Sequence, residues 1–150
     1  HWINEAFCEA VSCYSLKVMG EEWKTLPPYG NWKSYAKHLT AYADRVLDPK
    51  KSRPDGMEFV AWFEKHEKGL RLGKRYPKYD LYKYVGYQFY QVIQKDPKHL
   101  ATLVHLNEGL GNQALSTRAY LLRWKGRLLK EQQSFADQIA DVLGLSLNLH

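Results

Sequence analysis

Two glutamates near the start of the sequence, Glu5 and Glu9, carry the pattern that points most directly to chemistry. Residues four apart lie on one face of an α-helix, so both carboxylates would point the same way from a segment that is otherwise apolar. Like charges in this relation cost only about 0.2–0.5 kcal/mol when exposed. They cost several kcal/mol per ion when desolvated without a partner, a cost that a metal ion or another cation would remove.

A motif surrounds this pair. The run W-I-N-E-A-F-C-E at residues 2–9 resembles the second zinc-binding helix of gluzincin metallopeptidases, which reads N-E-A-x-x-D in thermolysin-like enzymes and W-L-N-E-G-F in aminopeptidase N-like enzymes. The resemblance implies that Glu5 is the third zinc ligand and that Asn4 and Glu9 support the site, with Glu9 orienting a ligating histidine. Zinc binds carboxylate oxygen beside imidazole nitrogen, and a ligating histidine needs an acceptor for its other ring nitrogen.

The remaining ligands of that family come from an H-E-x-x-H motif on a preceding helix. This sequence lacks the motif: His66 and Glu67 begin it, but Leu70 stands where the second histidine would be. The resemblance therefore predicts that the chain is the C-terminal part of a longer zinc peptidase. It would form one wall of the cleft, bind zinc only with upstream residues, and be inactive alone. Residues 23–36 are also similar to uncharacterised bacterial proteins with the same N-E-A start.

A simpler interpretation competes with the zinc site. Asn4 can act as a helix N-cap, with Glu5 favourable in the first turn. A second Asn-Glu pair, at Asn107 and Glu108, precedes Gly109 and follows an apolar run, which is typical of a helix C-terminus. We interpret that second pair as a helix end rather than a site.

The charge distribution gives an alternative function. The chain has 22 basic and 16 acidic side chains and a formal net charge of +6. Residues 65–84 hold the densest basic stretch, in which lysines and arginines alternate with tyrosines. Such a stretch can hold a nucleic-acid backbone or an acidic partner, so a non-enzymatic helical binding module is the second hypothesis. No recognised nucleic-acid motif accompanies it, and nucleic acid is the less favoured partner beside a peptide or protein substrate.

The composition and periodicity predict an all-α fold with a single helical domain. A chain of 150 residues with 45% hydrophobic content can bury one core. No apolar run reaches the roughly 20 residues needed to span a bilayer. Apolar residues recur with helical spacing and no segment alternates with period two. The two cysteines, Cys8 and Cys13, are five apart on one helix, too far for a disulfide, and are expected to be free and buried.

Capping and breaking residues divide the chain into about six helices. The first should run from Trp2 to about Trp23 and end before a Pro-Pro pair. Asn31 is the expected N-cap of the second, which stops by Asp48. The others are expected to begin after Asp55 and Glu58, at Asp80, at Asp96-Pro97 and near Ser116. The third should end near Gly69 or Gly73, and the last is expected to be broken near Gly126.

Other candidate functional residues have weaker support in the sequence. His38 and His66 fall on or beside apolar faces, where a hydrogen-bonded histidine is more common than a ligand, and His99 is expected at the surface. Tyr29 and Tyr35 follow the motif helix and are candidates for stabilising an oxyanion. No G-x-S-x-G elbow or glycine-rich phosphate loop is present, which leaves serine hydrolase and nucleotide chemistry unsupported.

Overall fold

The fold is all-α, as the periodicity predicts. The computed structural model describes residues 2–48, 56–71, 80–108 and 115–148, and only the backbone of residues 80 and 81. Within these ranges there is no strand. The α-helices are α1 (Trp2–Glu22), α2 (Ala36–Val46), α3 (Phe59–Arg71), α4 (Asp80–Ile93), α5 (Thr117–Lys125) and α6 (Gln133–Val142). The described residues also form 3-10 helices at Gly30–Tyr35, Pro97–His105 and Lys130–Gln132.

Helix α1 is the centre of the domain and packs most extensively against α4 and α2. Two glycines permit these close crossings. A Cβ on Gly86 of α4 would lie 3.0 Å from the Cβ of Glu9, and one on Gly20 of α1 would lie 3.1 Å from the backbone oxygen of Ala36. The face of α1 that carries Ile3, Ala6 and Ala10 is consequently buried.

Aromatic rings from four helices meet in the middle of the core. The ring of Phe7 lies 4.6 Å from that of Phe89, 5.7 Å from that of Trp124 and 6.3 Å from that of Phe135, measured between centroids. All four side chains are almost fully buried. Such rings contribute large buried areas together with favourable edge and offset contacts, so Phe7 ties α1 to α4, α5 and α6.

Most helix limits agree with the sequence-based predictions. Asp96 caps the helix that begins at Pro97 by accepting a hydrogen bond from the backbone N–H of Lys98 at 3.1 Å. Ser116 caps α5 in the same way through Ala119, and the last helical stretch is broken at Gly126. Of the pair expected to open α3, Glu58 directly precedes the helix, whereas Asp55 lies outside the described residues.

The start of α2 differs from its prediction. Asn31 is not an N-cap but lies inside the 3-10 helix Gly30–Tyr35, and α2 begins only at Ala36. The ring of Trp32 packs back against Trp23 and Tyr29, with centroids 5.5 and 5.0 Å away. This contact accompanies a tight i to i+3 turn, in which the Trp32 N–H donates to the Tyr29 oxygen.

None of the helices in the described ranges is both long enough and apolar enough to cross a bilayer.

Candidate functional site

Glu5 and Glu9 lie on α1 as predicted, but in different surroundings. Glu5 is exposed on the solvent side of the helix, whereas Glu9 is half-buried at the crossing with α4. The Cβ and Cγ atoms of Glu9 face Gly86. Glu5 forms no hydrogen bond or ion pair with any residue that the structure describes, so its carboxylate oxygens are accessible to a cation.

Asn4 is held by residues from two distant parts of the chain. Its Nδ2 donates to Oδ1 of Asn107 at 3.0 Å, and the hydroxyl of Tyr120 donates to its Oδ1 at 2.9 Å. The Tyr120 hydroxyl also lies 3.1 Å from Oδ1 of Asn107, so one proton is shared between two amide oxygens. We call these three side chains the amide–tyrosine network.

Each member of the network is positioned by its own element. Asn107 lies in the turn that follows the 3-10 helix Pro97–His105, which is tied to α5 by a hydrogen bond from Trp124 Nε1 to the Thr102 oxygen at 3.2 Å. Tyr120 lies in the first turn of α5 and is 1% exposed. Burial raises the pKa of its hydroxyl above the usual range. The hydroxyl therefore stays protonated and keeps its role as a donor.

The start of α5 is itself anchored to α3. One carboxylate oxygen of Glu67 accepts hydrogen bonds from the hydroxyl of Thr117 at 2.6 Å and from its backbone N–H at 3.3 Å. Arg71 approaches the same oxygen at 3.5 Å. Since a carboxylate at a helix N-terminus is favoured both by free N–H groups and by the helix dipole, this contact fixes the helix that presents Tyr120.

The second Asn-Glu pair has a role that the sequence analysis missed. Asn107 and Glu108 follow a helix end, as predicted, while Gly109 lies outside the described residues. Asn107 belongs to the amide–tyrosine network, and Glu108 binds Nδ1 of His105 at 2.8 Å and approaches Arg127 at 3.8 Å. The only sequence signal was the repetition of Asn-Glu, which gives no information on a contact 103 residues away.

The described residues do not by themselves form a metal centre. Among them, no three histidine, cysteine, aspartate or glutamate side chains come together in a way that could hold a metal ion. His66, half-buried, donates from Nδ1 to the Trp62 oxygen at 2.8 Å, in agreement with a structural role. His38 is exposed beside Tyr35. His99, predicted at the surface, is half-buried with its ring stacked on Phe135.

Tyr29 and Tyr35 lie at the opposite end of α1 from Glu5. Trp32 contacts both tyrosines and also Trp23, just beyond the last turn of the helix. With a rise of 1.5 Å per residue, the backbone positions 5 and 23 are about 27 Å apart. These tyrosines therefore do not face Glu5, and the tyrosine that contacts the motif is Tyr120.

The two cysteines are free, as predicted, but differ in exposure. Cys13 is 2% exposed and Cys8 is exposed, so the prediction of burial is wrong for Cys8. Cys8 lies on the solvent side of α1 with Glu5. Burial, with a smaller contribution from Glu9, raises the pKa of Cys13 to about 11, which keeps it a thiol.

The basic stretch is only partly covered by the structure. Lys65 and Lys68 are exposed on α3, whereas Arg71 is half-buried beside Glu67. Residues 72–79, which hold three of the seven basic side chains and two of the four tyrosines of this stretch, lie outside the described residues.

Comparisons of this chain with protein-family models, with curated proteins and with solved structures gave no match.

Proposed function

We propose that this chain supplies the third zinc ligand, Glu5, of a gluzincin-like zinc metallopeptidase. The two histidine ligands and the general base would come from an H-E-x-x-H segment outside these 150 residues. When bound, the metal would activate a water molecule for attack on a peptide carbonyl. The chain itself would contribute the carboxylate, one wall of the cleft and the framework that holds both in place.

The observation that carries the proposal is the pairing of an exposed Glu5 with a fixed Asn4. Asn4 is held by the amide–tyrosine network across 103 and 116 residues of sequence, and the same turn of α1 buries Ile3 and Ala6 in the core. A metal ligand needs a supported backbone and an accessible oxygen, because misplacement by even about 1 Å weakens a site. Glu5 meets both conditions.

Glu9 fits the proposed role less directly than Glu5. Its half-buried side chain lies against the backbone of α4 at Gly86, which restricts where its carboxylate can point. An acceptor for a ligating histidine must be oriented in this way. Glu9 would therefore position a histidine of the proposed H-E-x-x-H segment.

The test compares two glutamates of the same helix in a protein that contains both these 150 residues and the proposed H-E-x-x-H segment. Glu5→Gln keeps the size of the side chain but removes its charge, and Glu22→Gln makes the same change at an exposed position 17 residues later on α1. We expect Glu5→Gln to lose zinc, measured by mass spectrometry, together with cleavage of an unstructured protein substrate. Glu22→Gln should keep both.

Retention of stoichiometric zinc by Glu5→Gln, or tight zinc binding by residues 1–150 alone, would contradict the proposal. The alternative, a module that binds an acidic partner through residues 65–83, has a different signature. Such binding would weaken steeply as salt is raised and would not change in Glu5→Gln.

A further inference from the structure

The exposed apolar side chains of the molecule are concentrated in one short segment. Of the nine large hydrophobic side chains exposed in the described residues, five lie between positions 26 and 42. Their exposed fractions are 81% for Leu26, 63% for Tyr29, 38% for Trp32, 55% for Tyr35 and 51% for Tyr42. A group of exposed apolar side chains on a folded protein marks a surface that binds a partner.

The rings of this segment contact one another in sequence. The centroid of Trp32 lies 5.5 Å from that of Trp23, 5.0 Å from that of Tyr29 and 6.4 Å from that of Tyr35. Pro27 and Pro28, which restrict the backbone, separate Leu26 from these rings. We call Leu26, Tyr29, Trp32 and Tyr35 the aromatic surface.

Three lysines lie close in sequence to the aromatic surface. Lys24, Lys33 and Lys37 line a shallow cavity of about 370 Å³ together with Ser34 and Ala36. The Lys24 ammonium binds Glu21 at 2.6 Å. Lys33 and Lys37, by contrast, form no ion pair with any residue in the described ranges. Two lysines without an ion pair, close in sequence to exposed apolar groups, favour a partner that is apolar and negatively charged.

Single-stranded nucleic acid and anionic membranes both combine those properties, and the ring geometry distinguishes between them. Bases of single-stranded nucleic acid stack on free aromatic faces. Here neighbouring rings meet tilted or edge-on, at interplanar angles of 41°, 65° and 63°, with centroid separations that leave no room for a base between them. The ring of Tyr42, farther along α2, is covered by Arg45 at 5.0 Å. Leu26, the most exposed apolar side chain in the described residues, has no face on which a base could stack.

We propose that the aromatic surface, together with Lys33 and Lys37, binds the surface of an anionic lipid membrane. Tryptophan and tyrosine favour the interface between lipid headgroups and acyl chains, where an amphipathic ring meets both environments. Leu26 would enter the outer acyl region, and the lysines would meet anionic headgroups, each with an attraction typical of basic residues near such a surface. This inference is independent of the proposed peptidase function.

The experiment measures binding of the chain to vesicles of phosphatidylcholine alone and to vesicles that also contain phosphatidylglycerol. Tryptophan fluorescence gives a local signal, because Trp2, Trp62 and Trp124 are at most 4% exposed, whereas Trp32 is 38% exposed. The fifth tryptophan, Trp23, is half-buried and packs against Trp32. We expect a blue shift of the emission with the anionic vesicles that is strongly reduced in Trp32→Phe.

Matched variants test the apolar and the electrostatic contributions to membrane binding separately. Leu26→Ser should weaken the partition coefficient at least tenfold, because it removes one buried leucine from the lipid contact. The control is Val104→Ser, since Val104 is 73% exposed and lies outside this surface. Lys33→Glu combined with Lys37→Glu should abolish the preference for anionic vesicles, whereas Lys130→Glu, at another exposed lysine, should leave it unchanged.

Three results would overturn the proposal. One is the absence of binding to anionic vesicles by a chain whose circular dichroism shows a folded helical protein. Another is equal weakening by Leu26→Ser and Val104→Ser, which would mean that contact is not made at the aromatic surface. The third is binding of a thymidine oligonucleotide without vesicle binding, which would assign the surface to single-stranded nucleic acid.

Discussion

The two ends of α1 use their side chains in opposite ways. At the first turn, Asn4 is held by Asn107 and Tyr120, so its polar atoms are satisfied by residues more than 100 positions away. Beyond the last turn, Trp32 contacts mainly residues within ten positions of itself, and its neighbours Leu26 and Tyr29 remain largely exposed.

This difference separates two ways in which a helical domain can present a function. Long-range hydrogen bonds fix a side chain relative to the whole fold, which suits the support of a neighbouring residue such as Glu5, the proposed zinc ligand. Exposed apolar side chains gain nothing from folding and gain free energy only when a partner covers them. We therefore expect the first end to contribute to stability and the second to contribute little.

The largest expected effect is in the core beside the first end of α1. Phe7→Ala removes the ring that contacts Phe89, Trp124 and Phe135. It should lower the free energy of unfolding by about 3–5 kcal/mol, measured by urea denaturation. Phe7→Leu keeps most of the volume and should cost clearly less. Equal losses in the two variants would show that the ring contacts do not organise the core.

The sequence was sufficient to predict most of the helices, because the residues that cap a helix lie next to it in the chain. Asp96 caps its helix as predicted, and Ser116 caps the helix that was predicted to begin near it, since a cap depends on residues within three positions. The prediction failed at Asn31, which has the right residue type for a cap. There the packing of Trp32 on Trp23 accompanies a 3-10 turn instead, and side-chain packing of this kind is not encoded in the local pattern.

The candidate site could be predicted only in part, for the same reason. The position of Glu5 and Glu9 on one face of α1 follows from their i, i+4 spacing. The difference between an exposed Glu5 and a half-buried Glu9 depends on where α4 crosses, at Gly86. The partnership of Asn4 with Asn107 and Tyr120 depends on the tertiary arrangement of three elements, and no spacing rule within α1 indicates it.

Titratable groups around the middle of α1 should make the free energy of unfolding fall at alkaline pH. Burial raises the pKa of Cys13 to about 11 from 9.0 in the unfolded chain, and burial also raises that of Tyr90 on α4. The pKa of Lys17 is raised too, chiefly by its hydrogen bond to Asp44 of α2. Between pH 9 and 11 the folded state holds more protons than the unfolded state, so stability falls as the pH rises.

For Cys13 alone this loss should reach about 2 kcal/mol by pH 11. Denaturation curves at pH 8, 9, 10 and 11 measure it. Cys13→Ala should flatten the decline without abolishing it, because Tyr90 and Lys17 contribute in the same direction. Cys8→Ala, at the exposed cysteine, is the control and should keep the full slope. An unchanged slope in Cys13→Ala would contradict the assignment.

The amide–tyrosine network should stabilise the first end of α1 by a smaller amount. Tyr120→Phe removes the hydroxyl that donates to Asn4 and should cost about 1–2 kcal/mol, because a half-buried amide oxygen loses its donor. The control is Tyr90→Phe. Tyr90 is also a buried tyrosine of the core, but its hydroxyl makes no hydrogen bond to the residues described. Loss of that hydroxyl should therefore change the free energy of unfolding by close to nothing. Equal effects would mean that the network does not fix Asn4.

The smallest loss of stability is expected at the second end of α1. It is measured by making the same substitution at a core tryptophan and at a surface tryptophan. Trp124→Ala, at a side chain 1% exposed, should cost about 3–5 kcal/mol. Trp32→Ala, at a side chain 38% exposed that contacts other surface rings, should cost about 1 kcal/mol or less. If Trp32→Ala destabilised the chain as much as Trp124→Ala, the aromatic surface would be an extension of the core. Its exposed rings would then be explained by folding alone, without a membrane, and the contrast between the two ends of α1 would disappear.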